Sequence, residues 1–277
     1  MWDEIIRPKR GWFDLRLNEV WKYRDLLMLF VRRDFVSMYK QTILGPIWYL
    51  LQAFFTAFAF TVVFVKIANL PTENVPPMLF FLAGIVSWNY FSQCLTKTSN
   101  TFVNNVGIFG KVYFPRLIVP LSVVISSLIS FGIQLLFFIV YIFIYSFLGY
   151  YFSFHKTLFL LPLLILMMAM IGLGFGIIIS SLTIKYRDFQ YLITFGIQLL
   201  MYATPVIYPL SWIKGGLRYV MLLNPLTSIV ETFRYAFLGA GELNWLNLCY
   251  AGGFSVVILF IGIILFNRNE QSFMDVV

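Results

Sequence analysis

Charged side chains are scarce in this chain. Only 12% of its 277 residues are Asp, Glu, Lys or Arg, whereas about a quarter of the residues in a soluble domain are charged. Hydrophobic residues make up 60% of the chain, and its mean hydropathy is +0.84. This composition excludes a soluble enzyme and a disordered tail, and it predicts a polytopic membrane protein.

Histidine and cysteine are also rare. His155 is the single histidine, and Cys94 and Cys249 belong to different hydrophobic segments. We therefore predict neither a disulfide nor a metal site. The nearest match to a phosphate-binding loop, residues 107–112, has the wrong glycine spacing and ends in Val112, where a hydroxyl residue belongs. We expect the chain to bind no cofactor itself, so energy for active transport would come from another polypeptide.

Six long stretches contain no charged residue. A hydrocarbon core about 30 Å thick needs roughly 20 helical residues at 1.5 Å each, so each stretch predicts one transmembrane helix. The trimmed helical cores are 47–65, 78–96, 119–147, 158–184, 189–208 and 245–266. The prediction is an all-α polytopic membrane protein with six transmembrane helices. Residues 1–40 form a cytoplasmic arm, and residues 41–277 form the six-helix domain.

Basic residues are distributed unevenly along the chain. With six spans and the N-terminus inside, 15 of the 20 Lys and Arg fall on the cytoplasmic side. This bias predicts that both termini are cytoplasmic. The net charge of +8 thus reflects basic segments at the membrane surface, and we predict no nucleic-acid partner.

Ionisable groups are missing from the predicted spans. Proton-coupled carriers need such groups at membrane depth, so the sequence argues against a proton antiporter. Sodium sites made of backbone carbonyls would escape this test. An intramembrane enzyme needs a nucleophile with its base, a metal cluster or paired carboxylates, and the spans supply none of these.

The segment Trp21–Lys40 predicts an amphipathic helix at the membrane interface. Its basic residues cluster on one side of a helical wheel, and Leu27, Val31 and Phe35 lie opposite. Such a helix could anchor the chain to anionic lipids or form a lip that receives an anionic lipid-linked substrate. Pro46 then ends the surface helix, because it forces Gly45 out of the α region.

Two further segments are unusual in length or in proline content. The inner loop Lys97–Arg116 is longer than a turn requires. We expect it to form a short helix along the membrane whose exposed aromatic residues contact a partner protein; an extended helix end with a solvated turn is the alternative. On the outer side, Pro205 and Pro209 interrupt the helix. Two short helices are predicted within Leu210–Leu223 and Leu226–Leu238, either dipping into the outer leaflet as a re-entrant pair or lying on it. The second is predicted to be amphipathic, with its apolar residues opposite Glu231 and Arg234.

Each aromatic residue, taken by itself, can be explained by a belt at the membrane–water interface. The alternative is a pore lined with aromatic rings that stack on sugars. The spacing of Gly172 and Gly176 suggests close helix packing.

Several motifs in order resemble one family. They are Tyr23-Arg24-Asp25-Leu26, Tyr39–Trp48, Lys111–Arg116, Tyr186-Arg187-Asp188, Thr204–Pro209 and Leu223–Leu226. From about Tyr23 onward, the chain resembles the membrane subunits of type-2 ABC exporters for polysaccharides, which serve O-antigen, capsule and teichoic acid precursors. It departs from the family at Ala53, where a proline is expected in the first transmembrane helix.

The resemblance implies a permease in the bacterial inner membrane. It would form a homodimer and bind two copies of a cytoplasmic ABC ATPase subunit, which would hold ATP and Mg²⁺. The cargo would be a glycan linked to undecaprenyl diphosphate, carried to the outer side of the membrane. The alternatives are a type-2 ABC permease for a drug or small lipid, a glycan-modifying membrane enzyme, and a non-transporting scaffold.

The resemblance also implies roles for individual residues. The gate through which the substrate enters would contain Arg32, Arg33 and Lys40. Coupling to the ATPase would use Asn105, Lys111, Phe114, Pro115 and Arg116. The aromatic residues of the pore exit would be Tyr202, Tyr208 and Trp212.

Overall fold

The computed structural model describes residues 17–40, 42–109, 114–150, 156–183 and 188–269, and these residues contain helices and no β-strand. The α-helices are α1 (Leu17–Lys22), α2 (Arg24–Tyr39), α3 (Ile47–Phe60), α4 (Pro77–Ser99), α5 (Thr101–Phe109), α6 (Ile118–Phe147), α7 (Leu161–Thr183), α8 (Phe189–Tyr202), α9 (Gly216–Leu223), α10 (Pro225–Leu238) and α11 (Trp245–Asn269). A π-helical stretch, Thr61–Ile67, continues α3, and short 3₁₀ helices cover Lys156–Leu160 and Leu210–Trp212.

Five helical segments in the described ranges are long and apolar enough to cross a membrane. They are Ile47–Ile67, Pro77–Ser99, Ile118–Phe147, Lys156–Thr183 and Trp245–Phe266. Each contains or nearly contains one of the predicted cores, which confirms an all-helical protein with several apolar spans. Ala53, at the position where a proline was expected, is buried and lies within the α-helix α3. The α-helix therefore continues through this residue.

The fifth predicted span is shorter than expected. The helix α8 has 14 residues, which corresponds to about 21 Å of rise and falls short of a 30 Å hydrocarbon core. It ends at Tyr202, shortly before Pro205, whose ring is incompatible with a helix interior. Six complete spans, and the orientation that depends on them, therefore stay predictions.

The helix α4 lies at the centre of the bundle. It is apolar on all sides and is surrounded by other helices, chiefly α6, α7, α3 and α10. Pro77 occupies its first turn, where a missing N–H leaves no hydrogen bond unsatisfied.

Glycines in α7 allow its backbone to approach two neighbours. A Cβ at Gly176 would lie 2.5 Å from the Cβ of Thr98 in α4, and one at Gly174 would lie 2.8 Å from the carbonyl oxygen of Ile258 in α11. A Cβ at Gly172 would lie 2.7 Å from the Cβ of Cys94 in α4. The predicted close packing at the Gly172–Gly176 spacing is confirmed, and it fixes the positions of α4, α7 and α11.

The arm packs on the body of the protein. Phe30 and Val31 of α2 are buried, and Phe30 contacts Phe114 in the segment just before α6, with a centroid separation of 5.6 Å. Met28 and Leu29 of the same helix are exposed. The predicted helix is present, but part of its apolar surface is covered by α6 rather than left for lipid.

The two short helices that are predicted to lie on the outer side differ in burial. The helix α9 is exposed or half-buried throughout, whereas α10 is almost completely buried against α4, α7 and α11. The sequence predicted that Glu231 and Arg234 form the polar face of an amphipathic α10. That expectation is wrong, because both side chains are at most 1% exposed and pair with each other inside the protein.

Candidate functional site

A polar cavity lies between the arm and the ends of three helices that are predicted to face the cytoplasm, which we call the inner ends, and the opposite ends are called the outer ends. It has a volume of about 480 Å³ and is formed by α2, α4, α5 and α6. Its lining consists of Arg33, Asp34, Ser37, Thr96, Lys97, Asn100, Thr101, Asn104, Asn105, Ile108, Val123 and Ser126. Since only two of these residues are apolar, the cavity is suited to a polar or charged group.

Arg33 connects the arm to α5. Its Nε and Nη2 atoms donate to Oδ1 of Asp34 at 2.9 and 2.7 Å, and Nη2 also donates to Oδ1 of Asn105 at 3.4 Å. The guanidinium carbon lies 4.7 Å from the ring centroid of Phe30, which is within cation–π range. These contacts hold Arg33 at the wall of the cavity with a neutralising carboxylate beside it.

Lys97 is the second basic residue of the cavity, at the inner end of α4. It is half-buried, and its Nζ donates to Oε1 of Gln93 at 3.4 Å. No carboxylate in the described part of the chain lies within ion-pair distance of it. Sequence reasoning counted Lys97 as a loop residue and missed its place in a cavity, although a lone lysine directly after a long charge-free stretch was a usable signal.

Three asparagines provide the amide groups of the cavity. Asn100 and Asn105 each donate to the backbone carbonyl four residues earlier, at 3.0 and 2.8 Å. Asn105 also has non-helical dihedral angles (φ −121°, ψ 16°), which kink α5. The side chain of Asn104 is exposed and makes no hydrogen bond to any described residue. Amide groups of this kind bind hydroxyl and phosphate oxygens.

The three predicted gate residues are placed differently. Arg33 lines the cavity, whereas Arg32 and Lys40 are exposed and lie outside its lining. The structure also joins two residues that the sequence assigned to separate sites, because Arg33 of the gate contacts Asn105 of the coupling segment.

The predicted coupling residues are less exposed than expected. Phe114 is 5% exposed, and it packs between Phe30 and Phe109. Pro115 and Arg116 are half-buried, and the guanidinium of Arg116 lies 5.8 Å from the ring centroid of Phe109. Lys111 lies outside the described residues. The expectation of an aromatic surface open to a partner is therefore wrong for Phe114, because this ring completes the contact of α2 with α6.

The predicted exit residues surround the turn after α8. Tyr202 and Trp212 are both more than half exposed, and Tyr208 is half-buried. The hydroxyl of Tyr208 donates to the backbone carbonyl of Tyr202 at 2.6 Å. Two of the three aromatic residues are thus directly linked.

The Asn-Pro motif holds this turn against α10. Asn224 caps α10 by accepting from the N–H of Leu226, and its amide donates to Ala203 and Thr204. Pro225 occupies the first helical position, where proline is favoured. The motif therefore starts α10 and connects it to the end of α8.

A buried ion pair lies at the outer end of the bundle. Nη1 of Arg234 donates to Oε1 of Glu231 at 2.8 Å, and Nη2 donates to the carbonyls of Pro205 and Val206 at 2.8 and 3.3 Å. The guanidinium carbon lies 3.9 Å from the ring centroid of Phe80 in α4. Arg234 thereby attaches the Thr204–Pro209 turn to the central helix. Its Nε has no hydrogen-bond partner among the described residues.

Two carboxylates close the outer end. Glu231 accepts from the N–H of Glu242 at 3.1 Å, and Glu73 accepts from the N–H of Gly241 at 2.7 Å and from the hydroxyl of Ser211. Burial raises the pKa of the Glu231 carboxyl, and the facing guanidinium of Arg234 opposes this shift. These bonds join loops from distant parts of the chain. We call Glu73, Glu231, Arg234 and the residues bonded to them the outer cluster.

Comparison with known proteins identifies the family. Residues 25–238 match the family described as ABC-2 type transporter. The O-antigen export system permease protein RfbA of Klebsiella pneumoniae is 26% identical over 254 residues, covering 91% of this chain and 95% of that protein. RfbA of Myxococcus xanthus is 27% identical over 262 residues, covering 94% and 98%.

A protein named for polysialic acid transport is also similar. The polysialic acid transport protein KpsM of Escherichia coli is 23% identical over 243 residues, covering 87% of this chain and 92% of that protein. The match to the family covers most of the chain and includes nearly all of α2, the lining of the cavity, and Glu73, Glu231 and Arg234 of the outer cluster. The chain therefore belongs to the ABC-2 type transporter family, as a multi-pass protein of the bacterial inner membrane.

Proposed function

We propose that the chain is the permease subunit of an ATP-driven exporter that moves a lipid-linked polysaccharide from the cytoplasm to the outer side of the inner membrane. The observation that carries the proposal is similarity over nearly the whole chain to permeases named for O-antigen and polysialic acid. The polar cavity at the predicted inner end supports it, because an anionic, hydroxyl-rich head group needs such surroundings.

Six spans with both termini cytoplasmic complete the proposed topology. In this arrangement α8 and the following turn to Pro209 together cross the membrane. The helices α9 and α10 form the re-entrant pair on the outer side. The contacts of Arg234 with the turn support this assignment, since non-helical backbone at membrane depth has to be surrounded by protein or to line an aqueous path.

A second copy of the chain is the proposed partner within the membrane. Ile193 is the one buried residue of α8, and the outward side of α3 is similarly uncovered. Exposed aromatic residues follow both helices, including Trp48, Phe55, Tyr191 and Phe195. Pairing two copies through α3 and α8 would form a pore with rings on its wall, which suits a sugar polymer that slides without tight binding.

Two copies of an ATPase subunit, carrying ATP and Mg²⁺, would bind below this pore. Pro115 and Arg116 are half-buried coupling residues that follow α5 and keep accessible surface, and Phe114 would transmit a push on them to α2 through Phe30. Arg32 and Lys40, exposed on the arm, would attract the diphosphate of the cargo lipid before it reaches Arg33.

The proposal is tested by deleting the gene in the bacterium that encodes the chain and restoring it on a plasmid. We expect the surface polysaccharide to disappear on deletion, its lipid-linked precursor to accumulate inside, and the plasmid to reverse both changes. An unchanged surface polysaccharide with altered resistance to a drug would contradict the proposal and favour the small-substrate permease.

ATPase docking is tested separately by Arg116→Glu, with Lys156→Glu as the matched control on the predicted outer side. We expect the first variant to lose copurification with the ATPase subunit and the second to retain it. Equal copurification of both variants would show that Arg116 does not take part in docking.

A further inference from the structure

The inner cavity has an excess positive charge. Asp34 pairs with Arg33 at 2.7 Å and also attracts Lys97, but Lys97 makes no ion pair with a described residue, and the three charges of the lining sum to one positive charge. Arg33 and Asp34 are partly shielded, with side chains 37% and 23% exposed. Because charges in partly buried places are screened less than those at the surface, the Lys97 ammonium favours an anion in this cavity.

The neutral groups of the cavity indicate which kind of anion it can bind. The amide of Asn104 makes no hydrogen bond to a described residue, and Asn100 retains its acceptor oxygen because its NH₂ group is bonded to the carbonyl of Thr96. The hydroxyls of Ser37 and Ser126 donate to backbone carbonyls, so they can still accept hydrogen bonds. Donors and acceptors placed around one cation suit a ligand that has both a negative charge and hydroxyl groups.

The size and lining of the cavity exclude a lipid tail as its occupant. A volume of about 480 Å³ lies within the range of roughly 300–1,000 Å³ found for small-molecule sites. Ile108 and Val123 are the apolar lining residues, which is too little apolar surface for a hydrocarbon chain. A single phosphorylated sugar meets the requirements of charge, hydroxyl groups and size.

We propose that this cavity binds a glycosyl phosphate, with the Lys97 ammonium pairing with phosphate oxygens and the Asn104 amide binding a sugar hydroxyl. The inference rests on the proposed function where it takes the natural ligand to be the sugar–diphosphate end of the cargo lipid. A soluble sugar phosphate has the same chemistry. The proposal differs from a gate made of Arg32, Arg33 and Lys40, because it assigns the anion to a residue of α4.

The experiment measures ligand binding to the full-length chain in nanodiscs of phosphatidylcholine by isothermal titration calorimetry. The probes are glucose 1-phosphate, farnesyl diphosphate, inorganic diphosphate and uncharged glucose. We expect the wild type to bind the three anions and not glucose. Tighter binding of farnesyl diphosphate than of glucose 1-phosphate would point to the lipid head group as the natural source, and the reverse order to a soluble sugar phosphate.

Charge variants locate the anion. We expect Lys97→Gln to weaken binding of every anion at least tenfold and Lys97→Arg to retain most of it. Lys214→Gln is the matched control, since it removes an exposed charge from outside the lining, and it should bind as the wild type does. The proposal is overturned if the wild type binds none of the anions, or if Lys97→Gln has no larger effect than Lys214→Gln.

A second variant keeps the test independent of any effect of Lys97 on folding. Asn104→Ala removes no described hydrogen bond, and we expect it to weaken binding of glucose 1-phosphate severalfold while leaving inorganic diphosphate unchanged. Equal affinity of Asn104→Ala and the wild type for glucose 1-phosphate would contradict the sugar assignment.

The assay uses neither ATP nor transport, so its failure leaves the export proposal intact. Conversely, Lys97-dependent binding in a chain whose deletion does not alter the surface polysaccharide would preserve this site and refute the proposed function.

Discussion

Charged residues are buried and paired in the outer cluster, whereas the inner cavity keeps some of them accessible and without an ion-pair partner among the described residues. At the outer end, Glu231 and Arg234 are at most 1% exposed, and Arg234 also contacts Phe80 and two backbone carbonyls. At the inner end, Lys97 is half-buried beside an open cavity and has no described ion-pair partner. Polar groups whose partners are already supplied by the protein stabilise the fold, whereas groups without partners are available for a ligand.

The largest effect is expected when the outer ion pair is broken. Arg234→Met leaves the Glu231 carboxylate buried without its counter-ion and releases the carbonyls of Pro205 and Val206. Removing one partner of a buried pair costs about 3–5 kcal/mol. We expect a lower free energy of unfolding by this amount, measured by denaturation of the purified protein in detergent.

A matched control for this variant is the more exposed pair at the same end. Arg218 pairs with Glu242, and their side chains are 37% and 40% exposed. Arg218→Met should therefore change the free energy of unfolding by about 0–1 kcal/mol. Similar losses in the two variants would show that the buried Glu231–Arg234 pair stabilises the protein no more than the exposed pair does.

The sequence predicted the spans well because hydropathy is a local property. The bounds of α4, Pro77–Ser99, agree closely with the predicted core 78–96, since an uninterrupted apolar stretch specifies its own length. The burial of Arg234 could not be predicted in this way. Its partners Phe80, Pro205 and Val206 lie far from it in sequence, so that a helix containing Glu231 and Arg234 was interpreted as having a polar outer face.

The inner site was only partly predictable for a related reason. The sequence identified Arg33 as a gate residue and Asn105 as a coupling residue, yet it gave no indication that the two side chains would meet. It also assigned Phe114 to an exposed surface, because an aromatic residue in a loop between spans offers no local sign that α2 will cover it. Contacts between the arm and α6 depend on the tertiary fold.

An intermediate effect is expected where the outer turn meets α4. A Cβ at Gly84 would lie 2.7 Å from the carbonyl oxygen of Val206 and 3.2 Å from Nη2 of Arg234. Gly84→Ala should therefore lower the free energy of unfolding by about 1–3 kcal/mol, because the turn has to move away from the helix. Thermal unfolding in detergent would measure the loss of stability. Binding of glucose 1-phosphate to the inner cavity, as a second measurement, would show whether the structural change is confined to the outer end.

Gly132→Ala provides the control for the cost of adding a methyl group to a helix. Gly132 lies in α6, and a Cβ there would meet no atom within 4 Å. The substitution should be neutral or stabilise the protein by up to about 1 kcal/mol, since alanine is the better helix former. If Gly84→Ala were equally harmless, the turn would not be held tightly against α4, and the contrast between the two ends would weaken.

The smallest effect on stability is expected in the inner cavity. The exposed side chain of Asn104 makes no hydrogen bond to the described residues, so Asn104→Ala should change the free energy of unfolding by less than about 0.5 kcal/mol. Denaturation under the conditions used for Arg234→Met would measure this. A loss above 1 kcal/mol would mean that Asn104 supports the fold, and a reduced affinity for glucose 1-phosphate could then no longer be assigned to a missing ligand contact. A stable variant with reduced affinity would instead place binding at the end of the bundle where polar groups remain unpaired.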